Sequence, residues 1–247
     1  MRDIHRALQG KEFASPAEQN AFLSTLTGSG LKNAMKNAPP PSPREEAQNL
    51  AYAGMEAETE AEARKLAKLA LAKDPDCVDA LVLMAELDAR NAREAIWGLR
   101  KAVEAGERSL GAEFFAENKG HFWGILETRP YMRARQQLAD LLDGSGMKED
   151  ATRHYEALLD LNPNDNQGVR DSLLGCYLAT DNLEGARRVL KQYEEDIGAV
   201  FAWGRTLERF LSGDHQGAVA ALKIARERNR FVEGYFSGEK EIPNAMP

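Results

Sequence analysis

Aromatic residues make up only 7% of the 247-residue chain, and cysteine occurs twice. Strands draw on aromatic and β-branched side chains, so an alanine-rich, aromatic-poor chain points to closely packed helices. Cys77 and Cys176 are far apart, and each lies among apolar residues. They read as small buried thiols in a reducing compartment rather than as a disulfide framework. The net charge is −7, so there is no overall positive field to attract nucleic acid or anionic lipid. No apolar run reaches the roughly 20 residues that a membrane-spanning helix needs, and the first residues, MRDIHRALQGKEF, lack the apolar core of a secretory leader. A cytoplasmic location is the expectation.

The motifs that carry chemistry are also missing. The histidines are His5, His121, His154 and His215, and no two lie at helical ligand spacing. There is no Cys-x-x-Cys, so no metal is expected. No phosphate-cradling GxxxxGK[ST] or GxGxxG occurs, and Gly144-Ser145-Gly146 is too short to be anything but a turn. No Gly-x-Ser-x-Gly elbow occurs, and neither cysteine has a histidine nearby in sequence. Glu56, Glu58, Glu60 and Glu62 read as a solvated face at a helix junction. The chain is therefore expected to be non-catalytic and to carry no cofactor.

What is present is a repeat. Ser15-Pro16 caps a first short helix with Ala21, Phe22, Leu23 and Leu26 as its apolar stripe. Residues 1–31 then form a helical appendage, and the run ending APPPSP makes 32–43 an extended spacer. From Ser42 onward, helical patterns come in pairs. With Pro75 placed at the exit of a unit of about 34 residues, Ala51 and Ala63 fall where two helices would cross, and Ala47, Leu50, Gly54, Ala67 and Ala70 fall on the same faces. With Pro163 at the exit, Leu138, Ala139, Leu142, Ala151, Tyr155 and Leu158 take the same places. Further units use Leu173, Leu174, Tyr177, Ala186, Leu190 and Tyr193, then Ala218, Leu222 and Ala225. A weaker unit uses Leu81, Met84, Ala85, Ala95, Leu99 and Ala102. This is the tetratricopeptide pattern. Two helices approach closely only where side chains are small, and neither can bury its apolar face alone. The expected fold is an all-α, right-handed superhelical solenoid of such pairs over 44–247, interrupted by a helix-free insert at about 106–128.

The densest stretch is HFWGILETRPYMRARQQLADLL, from His121 to Leu142. Pro130 suits a first helical turn, Thr128 suits an N-cap, and His121 reads as a packed aromatic. Phe122, Trp123, Ile125 and Leu126 read as a plug over a helix edge. Arg129, Arg133 and Arg135 are donors for Glu127, Asp140 or a ligand carboxylate. Arg133, Gln136 and Asp140 share one side of the helix, the side that lines the concave groove in this fold. The candidate partner contacts are Tyr52, Glu86, Arg129, Arg133, Gln136, Asp140, Arg170 and Asp171. The polar turn from Asn162 to Asn166 is explained by satisfying helix-end amides.

Gly120-His121-Phe122-Trp123-Gly124, the run from Glu127 to Arg135, Leu161-Asn162-Pro163-Asn164-Asp165-Asn166-Gln167-Gly168, and the segment from Phe231-Val232-Glu233-Gly234-Tyr235 to Ile242-Pro243 together resemble the suppressor-of-tumorigenicity-seven family and its bacterial tetratricopeptide relatives. The resemblance covers about residues 75–243. It implies a helical repeat protein and transfers no active site. Tetratricopeptide co-chaperones clamp a C-terminal carboxylate with Lys and Asn. The matching positions here are Gln48 and Tyr52, then Gln136 and Asp140, which departs from that clamp.

The expected function is a protein-interaction scaffold whose groove takes a peptide or partner helix, with no nucleic acid and no membrane as partner. An enzyme or small-ligand sensor would instead use a pocket beside the insert, with His121, Trp123, Glu127 and Arg129 around it. A structural oligomerisation module is the third reading, and a homo-oligomer stays open.

Overall fold

The computed structural model describes residues 7, 11, 14–27, 29–36 and 40–241, and among them there are helices and no strand. His5 and the last two residues of the Phe231–Pro243 segment, Ile242 and Pro243, lie outside the described residues. The chain forms two compact units, 1–83 and 84–247.

In the first unit, α1 (Pro16–Thr25) starts as its sequence demands: the Ser15 hydroxyl accepts the Glu18 N–H, and Pro16 occupies the first turn. α2 (Ser29–Lys36) corrects the expected spacer, because Lys32 to Lys36 are helical. Nothing in that stretch breaks a helix before Pro39. α3 (Pro43–Met55) opens with a reciprocal capping box between Ser42 and Glu45. α4 (Glu60–Lys73) is capped by Thr59. Ala47, Ala51, Ala67 and Ala70 are fully buried and Ala63 nearly so. A Cβ placed on Gly54 would come within 2.8 Å of the Leu83 side chain and 3.3 Å of the Ala63 carbonyl. The helices of this pair therefore cross on residues with almost no side chain, as the repeat requires.

α5 (Val78–Asp88) carries the chain across the unit boundary. The second unit continues with α6 (Ala92–Leu110), α7 (Ala112–Asn118), two single 3-10 turns (Phe122–Gly124 and Leu126–Thr128), α8 (Arg129–Gly144) and α9 (Lys148–Leu161). It is completed by α10 (Arg170–Ala179), α11 (Leu183–Gln192), α12 (Ala199–Leu211), α13 (His215–Asn229) and α14 (Val232–Phe236). α8 packs on both α6 and α9, α9 on α10, α10 on α11 and α12, α11 on α12, and α12 on α13. This is a stack in which each pair supplies the surface that covers the next. Leu138, Ala139, Leu142, Ala151, Tyr155 and Leu158 are at most 1% exposed. Each of the large ones contributes roughly 1.5–3 kcal/mol of burial.

Two crossings shift from the expected residue. In the weak unit Ala95 is only half-buried, and the close approach is at Gly98, where a Cβ would lie 2.5 Å from that of Ala85. Where α10 meets α11, Gly185 sits directly under the Tyr177 ring, beside the expected Ala186. An aromatic ring at a crossing takes up the volume that would otherwise demand a larger partner, so glycine faces it.

The stretch 106–128 is not helix-free. α6 runs on to Leu110, Gly111 turns the chain at φ 80°, and α7 follows. Phe122 is fully buried. Its ring meets Phe114 at 5.9 Å, Phe115 at 4.9 Å and Tyr131 at 6.4 Å between centroids. The aromatics that are rare elsewhere in the chain are concentrated here, and they pin two loops onto the start of α8.

Candidate interaction surface

Several residues of the HFWGILETRPYMRAR stretch act on each other. Thr128 does not cap α8 through its side chain. Its buried hydroxyl donates instead to the Phe122 carbonyl and, at 2.8 Å, to the Ile125 carbonyl. This ties both 3-10 turns to the helix start. Arg129 Nε donates to the Trp123 carbonyl at 3.2 Å, and its guanidinium stacks on the Trp123 ring at 5.3 Å. Arg135 Nη1 reaches Glu107 on α6 at 3.2 Å and also the Tyr131 hydroxyl. His121 is exposed rather than packed, and Glu127 is exposed as well. Burial, chiefly, pushes the Tyr131 hydroxyl up to about 12, so it stays a neutral hydrogen-bonding group.

The candidate contacts along α8 and α10 join neighbouring elements. Gln136 accepts from Gln167 Nε2 at 2.8 Å, and the same Nε2 lies 3.1 Å from the Met132 carbonyl. Asp140 accepts the Tyr155 hydroxyl at 2.7 Å. Burial raises the Asp140 carboxyl above its ordinary range, although the Tyr155 hydrogen bond opposes this. Glu86, exposed on α5, accepts from Gln137 Nε2 at 3.4 Å. Arg133 is half-buried; Asp171 is exposed as a residue, but its carboxyl is partly desolvated, which raises it, with Arg170 opposing. Tyr52 belongs to the first unit, where it is half-buried.

Arg170 is the most heavily engaged of the set. It contacts Asp165 at 2.8 Å and Asp196 at 2.8 Å, with its guanidinium 5.4 Å from the Tyr193 ring centroid. Asp165 is buried at φ 49°, a left-handed conformation that Asp tolerates. It accepts the Val169 and Arg170 amides at 2.8 and 3.1 Å. The polar turn thus satisfies the start of α10 as its composition suggests, and Arg170 neutralises the carboxylate buried in doing so.

A second surface escapes a reading centred on the first helix of each pair. Between α9 and α11 lies an open groove of about 670 Å³. Ala157, Leu159, Pro163, Leu173 and Val189 supply its apolar floor, and Arg153, Glu156, Asp160, Arg188 and Gln192 its polar rim. Tyr177 reaches up from α10 to hydrogen-bond Glu156. Arg188 is 58% exposed at its side chain and lies 3.8 Å from Glu156. The signal was legible in principle: Arg153, Glu156, Ala157 and Asp160 recur at helical spacing on the outer side of α9, with the small residue in the middle.

Among the described residues no cluster of His, Cys, Asp and Glu could hold a metal ion, and no helix is long and apolar enough to cross a membrane. Both cysteines are free and buried. Burial pushes the Cys77 thiol to about 11 and the Cys176 thiol to about 12. The Cys176 thiol donates to Asp143 at 3.2 Å, a packing role rather than that of a nucleophile.

No protein-family model matches the chain, and no curated protein matches its sequence. Among solved structures, it is similar to a Podosopora anserina chain described as a kinesin light chain with nearly identical TPR-like repeats. The identity is 15%, the TM-score is 0.48, and the match covers 79% of this chain and 99% of that one.

Proposed function

We propose that the chain is a non-catalytic, cytoplasmic protein–protein interaction scaffold that binds an extended peptide or a partner helix. The observation that carries this reading is the open groove between α9 and α11, apolar at its floor and charged at its rim. Such a cross-section suits a partner that buries one face and leaves the other in water. A stack of helix pairs holds such a groove rigid, so little ordering cost falls on binding. Arg133 and Asp171 remain candidate contacts on the first-helix face, with Glu86 and Tyr52 as further ones. Gln136, Asp140, Arg129 and Arg170 serve the stack first, and any partner role for them is secondary to that. The kinship proposed is with the suppressor-of-tumorigenicity-seven family, supported by the Glu127–Arg135 run forming the tethered start of α8.

The test is selection of peptides from a random displayed library on the purified chain, followed by affinity measurement against Ala157→Arg, which fills the groove floor, and against Arg133→Ala. Peptides that lose about tenfold or more in affinity to Ala157→Arg support the groove. Peptides that respond only to Arg133→Ala move the site to the first-helix face. Failure to select any peptide above background removes the scaffold reading.

A further inference from the structure

Trp97 stands apart from the other tryptophans. It is 62% exposed, whereas Trp203 is 5% exposed and Trp123 half-buried. It lies in the second turn of α6, within a single regular helix, so no loop displacement accounts for its exposure. Tryptophan is highly buried on average and is the side chain most enriched among residues that dominate binding energy. The ring is also held in place: the Lys101 ammonium, one turn on, lies 3.3 Å from its centroid. Its surroundings are basic although the chain as a whole is acidic. Arg93 lies one turn before it and is exposed; Arg100 lies three residues after it and reaches Asp150 at 3.0 Å. Asp150 also takes Arg153, so two guanidinium groups share one carboxylate. The acidic groups on this helix are Glu94, which is engaged by Arg90 at 2.9 Å, and the exposed Glu104 and Glu107, the last of which is held by Arg135. Around Trp97, then, the positive charge of Arg93, Lys101 and the Arg100–Arg153 pair exceeds the local acidic charge.

We propose that the outer face of α6, centred on Trp97, docks an acidic segment of a partner protein in which an apolar side chain packs on the indole and flanking carboxylates meet Arg93, Arg100 and Lys101. The surface shares only Arg153 with the rim of the groove between α9 and α11, and it does not rest on that reading. The charge complementarity decides the partner: a basic or neutral segment would gain the ring contact but would lose or reverse the ionic part.

The experiment measures binding of a fluorescently labelled short peptide of alternating Glu and Leu to the full chain. Its Gln/Leu and Lys/Leu counterparts and a single-stranded RNA oligonucleotide serve as comparison probes. Expected are binding of the Glu/Leu peptide, a fall of about tenfold in affinity in Trp97→Ala and again in Lys101→Glu, and weakening as salt shortens the screening length. Ala157→Arg should leave this binding unchanged, which separates its failure from failure of the groove. Equal binding of the Gln/Leu or Lys/Leu peptide would overturn the proposal, as would preference for RNA. So would Trp97-dependent self-association seen by sedimentation, or affinity indifferent to both substitutions. Lys101→Glu, fully on the surface, keeps the test valid if Trp97→Ala alters the fold.

Discussion

Nδ1 of His154 is buried with no hydrogen-bond partner. Burial first, then Arg135 and Arg100, push its imidazole from 6.5 down to about 4, with Asp150 partly opposing. A folded-state value below the unfolded one means that the unfolded chain binds the extra proton first. His154 therefore costs nothing above about pH 6.5, and it removes stability progressively as pH falls from there toward about 4. Melting temperatures measured across that window should fall less steeply in His154→Gln than in the native chain. Identical slopes would show that the ring is not desolvated as described. Ala139 makes a second residue-level case. It is fully buried in the stack formed by α8 and its neighbours, so Ala139→Leu inserts three carbons where there is no room. The expected loss is about 1–3 kcal/mol by overpacking, read by urea unfolding. An unchanged midpoint would mean that the helices do not meet there.

At the level of elements, helix starts and turns decide where one pair hands over to the next. α10 begins on the buried Asp165 carboxylate rather than on an exposed cap, and Arg170 of the same helix neutralises it. Asp165→Ala should cost about 1–3 kcal/mol, because it orphans two amides and leaves Arg170 with one partner fewer. Asp165→Asn keeps one acceptor and tolerates the left-handed backbone, so its loss should be smaller. Thermal unfolding of the two variants distinguishes them. An Asn variant as unstable as the Ala variant would place the weight on the charge instead of on the cap.

For the whole molecule, stability should be unevenly spread. α1 has no buried residue, while α8 buries Pro130, Tyr131, Met132, Ala134, Leu138, Ala139 and Leu142. Local opening costs free energy roughly in proportion to the apolar contact it breaks. Amide hydrogen exchange should therefore be fastest in α1 and slowest in α8 and α9. Comparable protection of α1 and α8 would contradict this distribution of contacts.

The repeat was legible because its requirement is local and periodic. Ala51, Ala63, Ala139 and Ala151 recur where helices must touch, and all four are buried. The helix start at Ser15 was readable for the same reason, since a cap involves only neighbours in sequence, whereas Thr128, expected to cap α8, turns its hydroxyl to the Phe122 and Ile125 carbonyls instead. The segment 106–128 was not legible: its order comes from Phe122 packing on Phe114, Phe115 and Tyr131, contacts that follow no helical period. Nor could the sequence alone say that Gln136 would be met by Gln167, or Arg170 by Asp196. A polar side chain on a helix looks the same in sequence whether it faces solvent, a partner or the next helix. Only the packing of one pair on another distinguishes these, and that packing also opened the groove between α9 and α11 and left Trp97 in solvent.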